Sequence, residues 1–241
     1  MPDVTERPRR ERGTLPIAPV PYGESREGRP LGRYGEGDVL VVAGVHGDEP
    51  ETTVVVSAAL RSLAPGGLRC AVVLAANPDG LVRGTRGNAA GVDLNRNAPT
   101  ADWGAGKTLH RWELDGPAEV ALDTGSAPAS EPETRALLAL VECLAPRAVV
   151  AVHAPLACVD DPGATPLGRH LAARSGLPLV PDVGYAVPGS LGTWGGERGV
   201  PVVTYELPPA GVPLLVRDHG PVLAELLSAG AALTARRPGP P

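Results

Sequence analysis

Apolar and polar positions along this chain follow two alternating rhythms. Residues 39–43 and 70–76 are apolar almost without a break, and 148–153 and 201–206 are apolar-led runs that end on a polar residue; runs of that length predict strands buried on both faces. Between them lie helical patterns. One covers residues 53–63 and is stopped by Pro65-Gly66-Gly67. A second starts at Ser130, read as its N-cap, with Pro132 early and Glu133 completing a capping box, and runs through Leu137, Leu138, Val141 and Leu144. A third covers 167–175, and a last one about 220–235. Residues 177–180 add a short strand, Asn77-Pro78-Asp79-Gly80 reads as a turn, and 81–117 reads as a long glycine-rich loop. Strands alternating with helices predict an α/β fold: three layers, with a mostly parallel mixed sheet carrying helices on both faces. Residues 1–37 read as an irregular arm packed on a main domain of 38–235, and 236–241 as a tail.

Composition changes this picture little. The 241 residues suit one domain, and with 3% aromatics and no Phe the core must rest on Val, Leu and Ala. A net charge of −5 without a basic stripe argues against nucleic acid as a partner. Lys107 is the only lysine, a bias toward Arg that carries no functional reading. Cys70, Cys143 and Cys158 cannot all pair and are expected as thiols in a reducing compartment. No run approaches the roughly 20 apolar residues of a membrane span, and no apolar segment follows the charged N-terminus. A cytoplasmic protein without membrane contact is expected.

The chemistry gathers where the strands give out. Val39 to Ala43 runs into Gly44-Val45-His46-Gly47-Asp48-Glu49, setting a histidine and a carboxylate three residues apart in a tight turn. Open α/β sheets build their sites at such carboxyl ends. His46 and Glu49 suit one zinc ion but need a third donor, and His153, ending another apolar run, supplies it. Two His and one Glu with an open position make a hydrolytic site rather than a structural one. Glu206 closes Val202-Val203-Thr204-Tyr205-Glu206, and beside zinc it can take a proton from the attacking water and pass it to a leaving amine. In the glycine-rich loop, Arg86 and Arg96 with the asparagines around them suit a carboxylate, which a guanidinium grips as a planar fork. Ala101 to Thr108 ends like a phosphate-binding loop, but no apolar strand leads into it.

HGDE at 46–49, NPDG at 77–80, GVDLNRN at 91–97, a histidine ending a strand and YELPP at 205–209 together resemble the M14 zinc carboxypeptidase family, over roughly residues 38–210. The resemblance implies one Zn2+ per chain held by His46, Glu49 and His153, with Glu206 as general acid/base. It matches Arg86, ahead of Arg83, to the arginine that stabilises the oxyanion. Asn95 and Arg96 match the pair that binds the substrate carboxylate, Asp93 the acid orienting a zinc histidine, and Tyr185 the mobile tyrosine over the substrate. Further segments, among them Glu11-Arg12-Gly13, Arg111-Trp112, Pro155-Leu156-Ala157-Cys158 and Val183-Gly184-Tyr185, resemble the branch that hydrolyses the γ-D-glutamyl–diaminopimelate bond of murein peptides. That branch implies a small peptide substrate, and leaves the oligomeric state open between a monomer and a homodimer. Ala154 and Ala98 depart from the branch and bear on substrate preference. Asp160 and Asp161 either meet the far amino group of diaminopimelate or form a solvated acidic turn. Two rivals stay open: an N-acyl amino acid deacylase of the aspartoacylase type, and a zinc-holding muropeptide binder without turnover.

Overall fold

The apolar runs become the middle of one sheet in the computed structural model, which describes Leu15 and residues 17–112 and 118–234. In chain order the strands are Val20–Glu24 (β1), Pro30–Tyr34 (β2), Val39–Val42 (β3), Ala71–Val73 (β4), Lys107–Trp112 (β5), Ala118–Asp123 (β6), Ala148–His153 (β7), Val159–Asp160 (β8), Leu179–Val180 (β9) and Val202–Glu206 (β10). Eight of them line up as β1-β2-β4-β3-β7-β10-β8-β9, while β5 and β6 form a separate antiparallel hairpin. The central β4, β3, β7 and β10 are parallel. Strands β1, β2 and β8 join in antiparallel fashion, so the sheet is mixed.

The helices are Pro50–Ser62 (α1), Pro78–Arg83 (α2), Pro132–Leu144 (α3), Pro166–Ser175 (α4), Leu191–Glu197 (α5) and Val212–Ala229 (α6). Successive strand residues point to opposite faces. Val39, Val41, Val150, Val152 and Val203 therefore pack beneath Val55, Val56 and Leu60 of α1 and Leu223 and Leu226 of α6. Leu40, Val42, Val149 and Ala151 pack on the other side against Leu137 and Val141 of α3 and Trp194 of α5. Both faces are covered, giving three layers as the alternation of strands and helices predicts. Among the described residues, no helix is long and apolar enough to cross a membrane. Cys70 and Cys158 are buried, Cys143 is exposed, and all three are free thiols.

Several sequence expectations need correction. The stretch read as an irregular arm contributes β1 and β2, whose ribbon extends the sheet beyond β4. Breaker residues hid it, because edge strands tolerate the Pro and Gly that a central strand does not. Residues 1–14 and 236–241, with the Glu11-Arg12-Gly13 segment, lie outside the described residues. Asn77-Pro78-Asp79-Gly80 opens α2 rather than a free turn, since the Asn77 side chain accepts from Gly80 N and caps it. The loop over 81–117 contains β5. Ser130 does not cap α3, whose N-cap is Glu131 without a side-chain cap bond. Its hydroxyl donates to Glu131 instead. Helix α6 starts eight residues earlier than expected and carries Pro221 inside it. Burial of Leu215, Val222 and Leu223 along one face offsets the bond that the proline removes.

One buried pair makes the fold acid-sensitive. Tyr205 Oη and His219 Nδ1 lie 2.7 Å apart. Burial pushes the His219 imidazole below its ordinary value, with Asp218 opposing. The unfolded chain binds that proton more readily, so this contribution is whole above about pH 6.5 and is lost as the pH falls through the lower folded value. Denaturant midpoints between about pH 7 and pH 5 should fall less in His219→Gln than in the parent. Parallel slopes would mean that His219 is not the group responsible.

Candidate active site

The turn after β3 is built around glycine. Gly44 takes φ +63°, and a Cβ on Gly47 would sit 2.0 Å from the Gly80 carbonyl carbon, so only glycine lets the turn press against α2. That turn aims His46 and Glu49 back over the sheet, and α1 begins with Pro50 right after Glu49. His153 ends the neighbouring β7, and Glu206 ends β10 directly opposite His153 in the parallel register.

All four side chains are buried. His46 Nδ1 lies 2.7 Å from Glu49 Oε1 and 3.2 Å from His153 Nδ1, and His153 Nδ1 is 3.1 Å from Glu49 Oε2. Ligands about 2.0–2.1 Å from a tetrahedral zinc would stand roughly 3.3 Å apart, so these donor atoms nearly have the required spacing. Two imidazole nitrogens turned toward each other share at most one proton, whereas a cation satisfies both lone pairs. The donor set fits zinc, and among the described residues it is the one His/Cys/Asp/Glu group able to hold a metal ion.

A second layer of charge fixes the histidine. Asp93 Oδ1 stands 3.2 Å from His46 Nε2 and also accepts from Asn95 N, while its Oδ2 accepts from Arg86 Nε at 3.0 Å. Arg86 Nη1 donates to Glu49 Oε1 at 3.0 Å. Burial and the Arg86 charge push the His46 imidazole down, yet the Glu49 and Asp93 carboxylates outweigh them and raise it to about 9. Burial opposes the charge on Asp93, but Arg86 and His46 hold it well below the usual carboxylate range. A site that strengthens an imidazole's hold on a proton also favours a divalent cation there. Asp93→Asn should weaken zinc binding on the order of 10–100-fold, as loss of a partner behind a ligand does, measured by competition with a chromophoric chelator. An unchanged affinity would remove Asp93 from this role.

His46, Glu49, Arg86, His153 and Glu206 line one cavity of about 380 Å³ together with Asn95, Arg96, His110, Leu156, Asp160, Asp182, Tyr185 and Thr204, while Asp93 stands behind it. Glu206 Oε2 accepts from Leu156 N at 3.3 Å. Burial pushes its carboxyl above the ordinary value, against the opposing pull of His153. The Asn95 side chain accepts from Leu191 N through Oδ1, which leaves its amide nitrogen as a donor. Arg96 Nη1 donates to Asn95 O, and Gly189 at φ +71° seats the Tyr185 loop against the Arg96 carbonyl. Tyr185 itself is 56% exposed at the mouth. Asn97 does not face the cavity and ties its loop to Thr124 and Ser130. Asp161 is also turned away, accepting from the Thr165 amide and hydroxyl at the start of α4.

His110 was not foreseen, because the loop reading hid the hairpin that carries it. Burial and Arg86 lower its imidazole to about 4, so it faces the cavity neutral. Arg83, the rival to Arg86, hydrogen-bonds to Ala89 O and Glu27 and takes no part in the cavity wall. Ala154 donates its N–H to Glu49 Oε2, and Ala98 is buried in the second core.

Known proteins similar to this chain share its family and its fold. A family model described as zinc carboxypeptidase matches residues 19–155. Murein peptide amidase A of Escherichia coli (strain K12) is 46% identical over 209 residues, covering 84% of this chain and 86% of that protein. Its namesake in Vibrio campbellii is 43% identical over 219 residues, covering 88% of each. The crystal structure of murein-tripeptide amidase from Escherichia coli O157 superposes with a TM-score of 0.86 at 43% identity, covering 92% of this chain and 96% of that one. Carboxypeptidase A from Helicoverpa armigera shares the fold, with a TM-score of 0.68 at 18% identity over 91% of this chain and 69% of its own.

Proposed function

This chain belongs to the zinc carboxypeptidase family, and from that premise we propose that it is a zinc-dependent amidase that hydrolyses the γ-D-glutamyl–diaminopimelate bond of murein peptides in the cytoplasm. The observation that carries the proposal is the parallel pairing of β7 with β10, which sets Glu206 opposite His153 and so brings a protonatable carboxylate beside the His46, Glu49 and His153 donors. Relatives of this size that act on murein peptides support the choice of substrate.

His46, Glu49 and His153 would hold one zinc ion per chain, which supplies Lewis-acid polarisation of the reacting oxygen atoms. The remaining work falls to side chains. Glu206, held by Leu156 N–H through Oε2, takes a proton from the attacking water and returns it to the amine as the amide bond breaks. Its raised proton affinity suits both halves of that task. Asn95 Nδ2 and the Arg96 guanidinium hold the carboxylate next to the scissile bond. Arg86 spends Nε on Asp93 and Nη1 on Glu49, leaving Nη2 for charge that develops on the substrate oxygen. Tyr185 closes the mouth and limits water.

Mass spectrometry of the zinc-loaded protein with murein tripeptide and, separately, with N-acetyl-aspartate tests this reading. Release of free diaminopimelate from the first substrate is expected. Turnover of N-acetyl-aspartate alone would move the chain to the deacylases, and no turnover of either would make it a binder.

A further inference from the structure

The cavity wall beyond Glu206 is acidic, and the sheet fixes how. In the antiparallel pairing of β10 with β8, Thr204 stands directly opposite Asp160. Directly opposed residues share a face, and so do residues two apart on one strand. Thr204, Glu206 and Asp160 therefore project from the same side of the sheet, and all three line the cavity. Glu206 N bonds to Cys158 O, so Asp160 lies two residues, about 7 Å, along β8 from the level of Glu206. The next strand, β9, leads into Pro181-Asp182-Val183, and Asp182 joins the same wall.

Asp160 Oδ1 is fully buried and has no hydrogen-bond partner. Burial, then the neighbouring Asp182 and Asp161 charges, raise its carboxyl above the ordinary value. A buried acceptor without a donor costs about 1–3 kcal/mol, and a ligand that brings a donor recovers that cost. Asp161, by contrast, is spent on Thr165. One cavity thus has a donor-rich wall at Asn95 and Arg96 and an acceptor-rich wall at Asp160 and Asp182, with the proposed catalytic groups also on its surface.

Resting on the amidase reading above, we infer that Asp160, aided by Asp182, is the specificity determinant that takes an ammonium group at the far end of the residue released as the amine. A side chain of three methylene groups leading to a carbon that carries an ammonium, as in diaminopimelate, or of four methylene groups ending in one, as in lysine, is long enough to reach from an amide beside Glu206 to the level of Asp160, about 7 Å along β8. A charged donor there pairs with a carboxylate that already lacks one, whereas an apolar side chain leaves that oxygen stranded. Sites that hydrogen-bond a substrate group reject analogues without it far more strongly than apolar pockets reject a missing methylene.

The test uses three γ-D-glutamyl peptides ending in diaminopimelate, lysine or norleucine, with kcat/KM measured for the parent chain, Asp160→Asn and Asp182→Asn. The parent should prefer the diaminopimelate and lysine peptides over the norleucine peptide by about 100-fold or more. Asp160→Asn should lose most of that preference, with the norleucine peptide cleaved at a rate within about threefold of the parent. Asp182→Asn should lose less. Full preference retained in Asp160→Asn, or an equal loss on all three peptides, overturns the inference while leaving the amidase reading intact. Failure of the parent to cleave any of the three overturns both.

Discussion

Glu206→Gln is expected to cut turnover of the murein tripeptide by 10²–10⁴-fold, about 3–5 kcal/mol of barrier, while zinc content stays near one per chain. The carboxylate is 6% exposed and bonded by the Leu156 amide, so the amide side chain fills the same space and keeps one acceptor there. What disappears is the capacity to accept a proton and give it back. Elemental analysis of the purified variant checks the metal, and steady-state kinetics check the rate. A rate within about tenfold of the parent would end the assignment of Glu206 as the base.

Gly47→Ala is expected to be comparably severe for a different reason. Its new methyl group would stand 2.0 Å from the Gly80 carbonyl carbon and 2.2 Å from its oxygen. Neither is a side-chain tip that can rotate away. The turn must back off from α2, and His46 and Glu49, on either side of Gly47, move with it. Overpacking of this kind costs about 1–3 kcal/mol, or a drop of roughly 2–12 °C in melting temperature for a chain of this size. Displacing two of the three donors should also lower zinc occupancy to well under half. A normal melting temperature with full zinc would show that the contact relaxes freely.

The residues that the structure brings together were legible because each sits where an apolar strand ends, a place that hydropathy alone marks. His46, Glu49, His153 and Glu206 come from three separate strand ends, and pairing β3, β7 and β10 in parallel register leaves them little choice but to meet. Asp93 and Arg96 were legible only through the GVDLNRN motif, since a short 3-10 turn over Leu94–Arg96 has no periodic signal. Asp160 and Asp161 looked equivalent in sequence. Helix capping separated them, taking Asp161 for α4 and leaving Asp160 to the cavity. His110 and Asp182 escaped notice because their position depends on how a hairpin and a loop fold over the sheet, which neighbouring residues do not encode. Strands β1 and β2 escaped for a related reason, their breaker-rich composition imitating coil.

The donors hang from a frame whose cohesion lies elsewhere. Val39, Val41, Val150 and Val203 are wholly shielded from solvent, and their packing against α1 and α6 owes nothing to an ion. In small zinc modules the metal organises the chain, and chelation unravels it. Here the cation is a tenant rather than a staple. Dialysis against a chelator should silence the protein without melting it, and returning zinc should restore turnover at once, with no refolding delay.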